Sequence, residues 1–387
     1  MSIDLVMAAS FGLITRPLDF TPQPDGLPNR MFYHDGWPGA RPVTLGTGDA
    51  AWLVTSPPAV LKIMTDPTSR WASGDQIRVN GNGLRSKLDL LNMDPPRQPE
   101  LRRIIDPIAN AGGDWAALPV LAERLAGGLD FRDGPVDLVE SYCEPFVAHA
   151  ATRDMGVPLS DWKIINGRTT SAGLITNPGT DDQLEGAWRQ IYAYCTALVK
   201  EKQHRPDDSQ ASRFVTALGK GTASQDEIVH AIATNFTGYP TPLTVLIVTL
   251  FVLITQPELT RAFLGAGSRD RMRILGRILR TRANFAAGKP RELGVPLDLG
   301  QGLVLKPGEP LIPSVWAALA GGHGWHLAFG AGDHRCPFFN DSMRWLLVAT
   351  QTVLEAHPGM RLARRPEFPP GLLAVPPALL ASDSPAG

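Results

Sequence analysis

A glycine-rich loop that ends in a cysteine, residues 328–337, is the segment of this sequence best suited to chemistry. Gly330 and Gly332 permit a tight backbone path that side chains would block. Cys336 is predicted to lie at the start of a long apolar helix, where the helix dipole and free N–H groups favour negative sulfur. Pro337 suits the first helical position, because the N–H that it lacks would have no partner there. The loop can therefore present a thiolate to a metal; the alternative is a buried free cysteine.

The loop resembles the heme-ligand loop of the cytochrome P450 family, whose pattern reads Phe-x-x-Gly-x-x-x-Cys. Phe329, Gly332 and Cys336 stand at the fixed positions, and Gly330 and His334 match residues that bacterial members often have. The resemblance implies that Cys336 is the axial metal ligand of heme b (iron protoporphyrin IX), with Phe329 and Gly330 beside the cofactor. A thiolate ligand donates electron density to the iron and favours O–O cleavage.

Further positions resemble those that bind the heme propionates in the family. Gln98 stands where a histidine is usual, and Arg102 follows at the arginine position of the same helix. Arg291 precedes the second β region, and His334 lies in the cysteine loop. Two carboxylates in an apolar pocket need charge-assisted donors, which arginine supplies best. Each residue alone could be an ordinary surface charge; together with Cys336 they favour a retained heme site.

Composition limits the possible function classes. The chain has 387 residues, 43% of them hydrophobic, and a formal net charge of −1. This suffices for a large core and gives no basis for binding nucleic acid or an acidic membrane. Cys143, Cys195 and Cys336 are too scattered for a disulfide framework, which favours a reducing, cytoplasmic location. The N-terminus does not have the pattern of a signal peptide, and the longest apolar run, residues 243–254, is too short to span a bilayer.

The order of predicted elements resembles the family from end to end. It predicts a mainly α, cytochrome P450-like fold, with a large helical part (residues 94–285 and 337–357) and a small β-rich subdomain (residues 36–75 and 290–316), in one domain over 1–387. A hairpin is expected at 42–45 and 51–55, and strands at 297–299, 303–305 and 311–315. Helices are expected at 58–65, 100–108, 115–126, 136–155, 183–203, 209–218, 224–236, 243–254, 257–264, 269–282 and 337–356.

The largest departure from the family lies in the long central helix. There the family has an acid–alcohol pair that feeds protons to bound oxygen; here Pro240 replaces the acid and Thr241 keeps the alcohol, after Gly238. Gly238, Pro240 and Thr241 are the candidate catalytic residues. Prolines 240 and 242 predict a break near 238–240, with a new helix from Pro242 that Thr241 caps. Water held at the break could substitute for the acid; the alternative is a kinked structural helix without a chemical role.

Two further departures from the family lie on the side of the site that carries the cysteine ligand. The family's Glu-x-x-Arg motif reads Arg277-Ile-Leu-Arg280 here, so two cations share one helix face. The family also has a loop of roughly fifteen to twenty residues, the meander, ahead of the cysteine loop. In this chain a short glycine-rich segment that ends at Trp325 stands in its place. In the family an arginine of the meander completes the Glu-x-x-Arg contact, so the two losses indicate a coordinated rebuilding. Phe338, where the family has a small residue, must turn its ring aside or cover the sulfur.

The resemblance also suggests partners and a substrate pocket. Regions that line the pocket in the family contain Ile77, Val79, Leu84, Leu174, Ile175 and Tyr239. The arginine-rich helix predicted over 269–282 suits the docking of an acidic ferredoxin; the alternative is a cationic face that is exposed to solvent. The predicted function is a heme-thiolate enzyme that oxidises a small, free or carrier-bound molecule of bacterial specialised metabolism, for example as a monooxygenase in antibiotic biosynthesis. Heme chemistry without ordinary oxygen activation (dehydration, rearrangement or cyclisation) remains open. The alternative is a catalytically silent auxiliary protein that activates a partner such as a glycosyltransferase.

Overall fold

The computed structural model describes residues 39–44, 50–71, 88, 90, 93–111, 116–166, 181–281, 291–321, 324–366 and 376–383. Its α-helices are α1 Pro57–Thr65, α2 Arg97–Asn110, α3 Ala117–Gly127, α4 Glu144–Met155, α5 Trp162–Asn166, α6 Asp181–His204, α7 Gln210–Leu218, α8 Gln225–Gly238, α9 Pro240–Thr255, α10 Pro257–Gly265, α11 Ser268–Thr281, α12 Val315–Ala320 and α13 Phe339–Ala356. Most of the predicted helices are present within a few residues, so the mainly α prediction is confirmed.

The strands form three small sheets among the described residues. They are β1 Ala40–Thr44, β2 Ala50–Val54, β3 Arg70–Trp71, β4 Val136–Asp137, β5 Arg291–Glu292, β6 Leu297–Asp298, β7 Val304–Leu305, β8 Leu311–Pro313, β9 Met360–Leu362 and β10 Leu380–Asp383. The sheet orders are β1-β2-β8-β5-β3, β4-β10-β9 and β6-β7. The predicted hairpin is confirmed, because β1 and β2 pair antiparallel. The parallel pairing of β2 with β8 then joins the two β-rich segments of the chain.

One predicted helix, residues 136–155, begins later than expected. Its first residues form β4, which pairs with β10 near the C-terminus, and a π-helical turn, Val139–Cys143, precedes α4. The carboxylate of Asp137 accepts hydrogen bonds from the backbone N–H groups of Val139 and Leu379. The helical pattern is overridden here because a strand more than 240 residues away supplies the hydrogen bonds.

Helix α9 lies at the centre of the helical part. All of its residues from 243 to 254 are buried except Val245, which is why its sequence is apolar on every face. The continuous segment Gln225–Thr255 has a length and composition that could cross a membrane, but 72% of its most apolar stretch is buried within the protein. This burial is what a central core helix requires.

Clear local signals fix the start of α8. Ser224 accepts a hydrogen bond from the backbone N–H of Glu227, and the Glu227 carboxylate accepts one from the backbone N–H of Ser224. This reciprocal capping box satisfies two donors that the helix itself cannot pair. Arg97 of α2 also donates to both carboxylate oxygens of Glu227, at 2.7 and 2.8 Å. Helix α8, which leads to Pro240 and Pro242, is therefore held in place at its first turn.

Candidate active site

The Cys336 loop needs its two glycines for different reasons. Gly330 and Gly332 have φ values of 78° and 63°, in the region that favours glycine. A Cβ on Gly332 would also lie 2.4 Å from the carbonyl oxygen of Met64, so the loop passes directly over the end of α1. The backbone N–H of Cys336 donates to the carbonyl of Phe329 at 2.8 Å and closes the loop. The tight path expected from the sequence is therefore present.

The thiol of Cys336 lies before the helix rather than within its first turn. Helix α13 begins at Phe339, and Phe338 at its N-cap has a non-helical backbone (φ −92°, ψ 17°). The expectation that Pro337 occupies the first helical position was therefore wrong, since the chain makes a turn at 337–338. Burial raises the pKa of Cys336 to about 11, and the nearby backbone N–H of Phe338 offsets this rise in part. The nearby guanidinium groups of Arg102 and Arg335 also favour the thiolate.

Helix α2 holds the loop through two of the predicted cofactor residues. Nε2 of Gln98 donates to the carbonyl of Asp333 at 2.6 Å. Arg102 donates to the same carbonyl at 3.0 Å and to that of Arg335, and it forms an ion pair with Asp106. Gln98 is fully buried, and its Oε1 has no hydrogen-bond partner in the part of the chain described. The structure thus brings Gln98 and Arg102 to the Cys336 loop, where both donate to backbone carbonyls.

Arg291 approaches the loop from the sheet. It is the first residue of β5 and is 8% exposed. Burial lowers the pKa of its guanidinium to about 10, although Asp94 and Asp333 attract its charge. The loss of hydration is therefore not fully offset by these two acids. His334 lies in the short 3₁₀ turn Gly332–His334 of the loop itself.

A cavity of about 570 Å³ lies between α2 and the Cys336 loop. Cys336 forms part of its wall, together with Gln98 and Arg102. The side chains of Arg103 and Arg335 line it as well. Cys336, the candidate metal ligand, and these basic residues therefore line the same cavity.

Phe329 belongs to an aromatic cluster that sequence reasoning did not find. Its ring meets that of Phe339 edge-on, with centroids 4.9 Å apart, and that of Trp325 at 6.4 Å. Trp325 stacks on Phe339 at 5.5 Å, and the guanidinium of Arg335 lies 4.9 Å from the centre of the Phe339 ring. The signal that could have found this cluster is a tryptophan in the short glycine-rich segment that stands where the family has its meander.

The central helix is interrupted at one residue, Tyr239, between α8 and α9. Its backbone stays helical (φ −63°, ψ −31°), so α9 resumes at Pro240 and not at Pro242 as expected. Helix α9 has no side-chain cap hydrogen bond. The expected capping role of Thr241 was therefore wrong, because Thr241 lies inside the first turn of α9. Gly238 ends α8, and Pro240 is buried while Thr241 is half-buried.

Tyr239, which the sequence analysis assigned to the substrate pocket, is buried and packs against α13. Its ring stacks on Trp345, with centroids 5.9 Å apart and planes 6° from parallel. The ring of Phe338 lies 6.4 Å away, so Phe338 has turned toward Tyr239, one of the two outcomes expected. The Tyr239 hydroxyl reaches Oε1 of Gln210 at 3.5 Å. Ile77, Val79, Leu84, Leu174 and Ile175 lie outside the described residues.

Two acids lie behind this tyrosine. Asp341 of α13 is 4% exposed, and neither of its carboxylate oxygens has a hydrogen-bond partner in the described ranges. Burial raises its pKa to about 6, against the attraction of Arg344 and Arg213. Burial and the charge of Asp341 together raise the pKa of Asp154 to about 7. Burial raises the pKa of Tyr239, and the charges of Asp154 and Asp341 raise it further.

Three arginines of the basic helix α11 have partners within the protein. Arg271 forms an ion pair with Glu355 of α13 at 3.1 Å, and Arg273 forms one with Asp270 at 2.6 Å. Nε of Arg280 donates to the carbonyl of Leu319 at 3.0 Å. The arginine at the end of the altered motif therefore binds a backbone carbonyl of α12.

Several known proteins are similar to this chain in sequence or in fold. The chain is 26% identical over 350 residues to the mycinamicin IV hydroxylase/epoxidase of Micromonospora griseorubida, covering 81% of this chain and 84% of that protein. It is 26% identical over 356 residues to cytochrome P450-SOY of Streptomyces griseus, covering 85% and 84%. The crystal structure of the LnmA cytochrome P450 hydroxylase from the leinamycin pathway of Streptomyces atroolivaceus matches with a TM-score of 0.78 at 22% identity, covering 95% of this chain and 98% of that one. No protein-family model matches the chain.

Proposed function

Because the chain belongs to the cytochrome P450 superfamily, whose members are heme-dependent oxidoreductases, we propose that it oxidises a small molecule in bacterial specialised metabolism through heme b bound at Cys336. The observation that carries this proposal is the closed loop in which the N–H of Cys336 is fixed to Phe329 while Arg102 holds the neighbouring carbonyls. A loop held this firmly presents its sulfur in one position.

The residues around Cys336 fit a heme group. A single cysteine thiolate is the protein ligand that iron in a P450-type heme protein requires. Arg291 is a buried cation on the sheet beside the Cys336 loop, and a guanidinium is well suited to bind a carboxylate. Arg102 and His334 would supply the other donors to the propionates, and Phe329 and Gly330 would lie beside the porphyrin.

The protein's own groups would control the sulfur and its surroundings. Bound heme supplies the redox chemistry of the reaction. The Phe338 N–H would bond to the thiolate and make it a weaker electron donor, because a hydrogen bond stabilises charge on the sulfur. Arg102 and Gln98 would keep the loop from moving away from α2. Pro337 contributes no N–H, so one fewer donor can reach the sulfur than in a chain with another residue there.

Position 240 favours a second candidate chemistry at the same site. The proline has no side-chain proton to donate, and α9 begins at this residue. Heme chemistry without ordinary oxygen activation, such as a dehydration, rearrangement or cyclisation, does not need that proton. Oxygen consumption coupled to product formation would support oxidative tailoring, whereas product formation in anaerobic buffer would support the second chemistry.

The partners proposed are those of a soluble bacterial family member. The substrate would be a small molecule, free or carried on a protein. Oxidative tailoring would draw its electrons from a ferredoxin in the cytoplasm, docked near the basic wall formed by Arg102, Arg103 and Arg335. Neither nucleic acid nor a membrane is a proposed partner.

The first test is the absorbance spectrum of the purified protein, as isolated and then reduced under carbon monoxide. A heme band with the long-wavelength carbon monoxide shift is expected for the wild type and should be lost in Cys336→Ser. Cys195→Ala is the matched control, because Cys195 is fully buried in α6 and its loss should leave the band in place. A folded protein that neither contains heme nor takes it up would overturn the proposal and support the auxiliary role, which a pull-down with a glycosyltransferase would then test.

A further inference from the structure

An indole ring lies directly against the backbone of α11, next to the altered Glu-x-x-Arg motif. A Cβ on Gly276 would lie 2.8 Å from both Cδ1 and Nε1 of Trp325. Such a distance is shorter than real side-chain contacts, so any residue larger than glycine would displace the ring. Gly276 immediately precedes Arg277, which stands where the family has its glutamate.

The same indole leads to the ligand loop through two aromatic rings. Trp325 stacks on Phe339, the first residue of α13, with planes 23° apart. Phe339 in turn meets Phe329 nearly at a right angle, 84°. The carbonyl of Phe329 accepts the hydrogen bond from the N–H of Cys336. Offset-stacked and edge-on rings at these distances are the favourable aromatic geometries.

We propose that Trp325 is a positioning residue that fixes the Cys336 loop against α11, in the place of the family's meander and its ion pair. The loop is then held from two sides: polar groups of α2 hold the carbonyls of Asp333 and Arg335, and the Trp325–Phe339–Phe329 cluster holds the side that faces α11. The proposal rests on the proposed function only for the role of Cys336 as ligand, since the packing itself concerns the protein chain alone.

The direct test is the hydrogen exchange of the Cys336 amide, measured by mass spectrometry on the full-length protein as purified. Trp325→Ala should speed exchange of this amide by about tenfold or more relative to amides of α6, because the loop can then open locally. Trp325→Phe should restore part of the protection, since an aromatic ring remains. Trp162→Ala is the matched control: Trp162 is buried on α5 and bonds to Glu144, so its loss should leave the Cys336 amide unchanged relative to α6.

A second test does not depend on Trp325→Ala folding well. Gly276→Ala should lower the melting temperature of the wild type, because the new Cβ collides with the indole. In a Trp325→Phe or Trp325→Ala background the same change should lower it less or raise it, because alanine favours a helix more than glycine does. An equal effect of Gly276→Ala in all backgrounds would overturn the proposal, as would wild-type protection of the Cys336 amide in Trp325→Ala.

A third readout separates this proposal from the proposed function. In heme-loaded Trp325→Ala, the long-wavelength carbon monoxide band should give way in part to the shorter-wavelength band of iron that has lost its thiolate. Unchanged bands together with unchanged exchange would refute the positioning role and leave the heme assignment standing. Altered exchange in a protein that binds no heme would refute the heme assignment and leave the positioning role of Trp325 standing.

Discussion

The ligand side and the central-helix side of this site both depart from the family, but with different structural consequences. On the ligand side, new contacts occupy the place of the lost motif: Arg280 binds the Leu319 carbonyl, and Trp325 packs on Gly276. On the central-helix side, Pro240 stands in place of the acid, and Tyr239 beside it is buried between aromatic rings. The ligand side has a closed loop, whereas on the other side the resemblance places a proline, which has no side-chain proton, at the position of the family's acid.

The difference follows from what each lost group did. An ion pair that holds two segments together can be replaced by packing, because dispersion and the hydrophobic effect need only close contact. A proton donor must place an acidic atom within hydrogen-bond reach of its acceptor. Asp154 and Asp341 have raised pKa values, and their charges act on the buried Tyr239.

The largest effect is expected for Gly332→Ala on the ligand side. The substitution combines a strained left-handed backbone with a Cβ at 2.4 Å from the Met64 carbonyl, so it should lower the free energy of unfolding by about 3 kcal/mol. Denaturant titration measures this. Gly221→Ala is the control, because Gly221 has φ +80° and nothing within 4 Å of its added Cβ, and it should cost only about 1 kcal/mol. Equal costs for Gly332→Ala and Gly221→Ala would show that a Cβ at position 332 does not collide with the Met64 carbonyl of α1.

An intermediate effect is expected for Asp341→Asn behind the central helix. The pKa of Asp341 is raised to about 6 in the folded protein, so wild-type stability falls as pH rises from about 4 to about 6. The asparagine variant does not titrate, and it should therefore gain about 1–2 kcal/mol on the wild type between pH 4 and pH 7.5. Urea titrations across this range measure the difference, while Asp154, Arg213 and Arg344 are left unchanged.

Glu227→Gln provides the control of opposite sign. Its bonds to Arg97 lower the pKa of Glu227 to about 2, so the carboxylate stabilises the protein above about pH 4.5 and loses this effect as pH falls toward 2. Glu227→Gln should therefore be less stable than the wild type at neutral pH, with a difference that shrinks in acid. If Asp341→Asn showed this same pattern, the unpaired state of its carboxylate would be contradicted.

The smallest effect is expected for Thr241→Ala. Because Thr241 lies inside the first turn and does not cap α9, its loss should change stability by less than about 0.5 kcal/mol. Ser224→Ala is the matched control, since Ser224 is a true cap with both capping-box bonds, and it should cost about 1 kcal/mol. Thermal unfolding of the two variants measures both stability costs. A cost for Thr241→Ala equal to that of Ser224→Ala would show that the hydroxyl caps the helix after all.

Much of the fold and part of the site could be predicted from sequence because their signals are local. The hairpin of β1 and β2, the capped start of α8 and the prolines at the helix interruption depend on residues within a few positions of one another. The two glycines before Cys336 predicted a tight loop because their backbone freedom is intrinsic. The start of α13 was missed by two residues: Phe338 has a non-helical backbone, and its ring lies near that of Tyr239, which is distant in sequence.

The sequence by itself predicted the tight loop before Cys336, most of the helices and the β1–β2 hairpin, and, by resemblance, a proline where the family has its acid. Only the tertiary structure decided that Trp325 rests on Gly276, that Arg102 binds loop carbonyls, and that Tyr239 is buried against α13. The pairing of β4 with β10, which lie more than 240 residues apart in sequence, was also decided only by the tertiary structure. Propensities act within a turn or two of chain, whereas these contacts depend on which distant segments the packing of the core brings together.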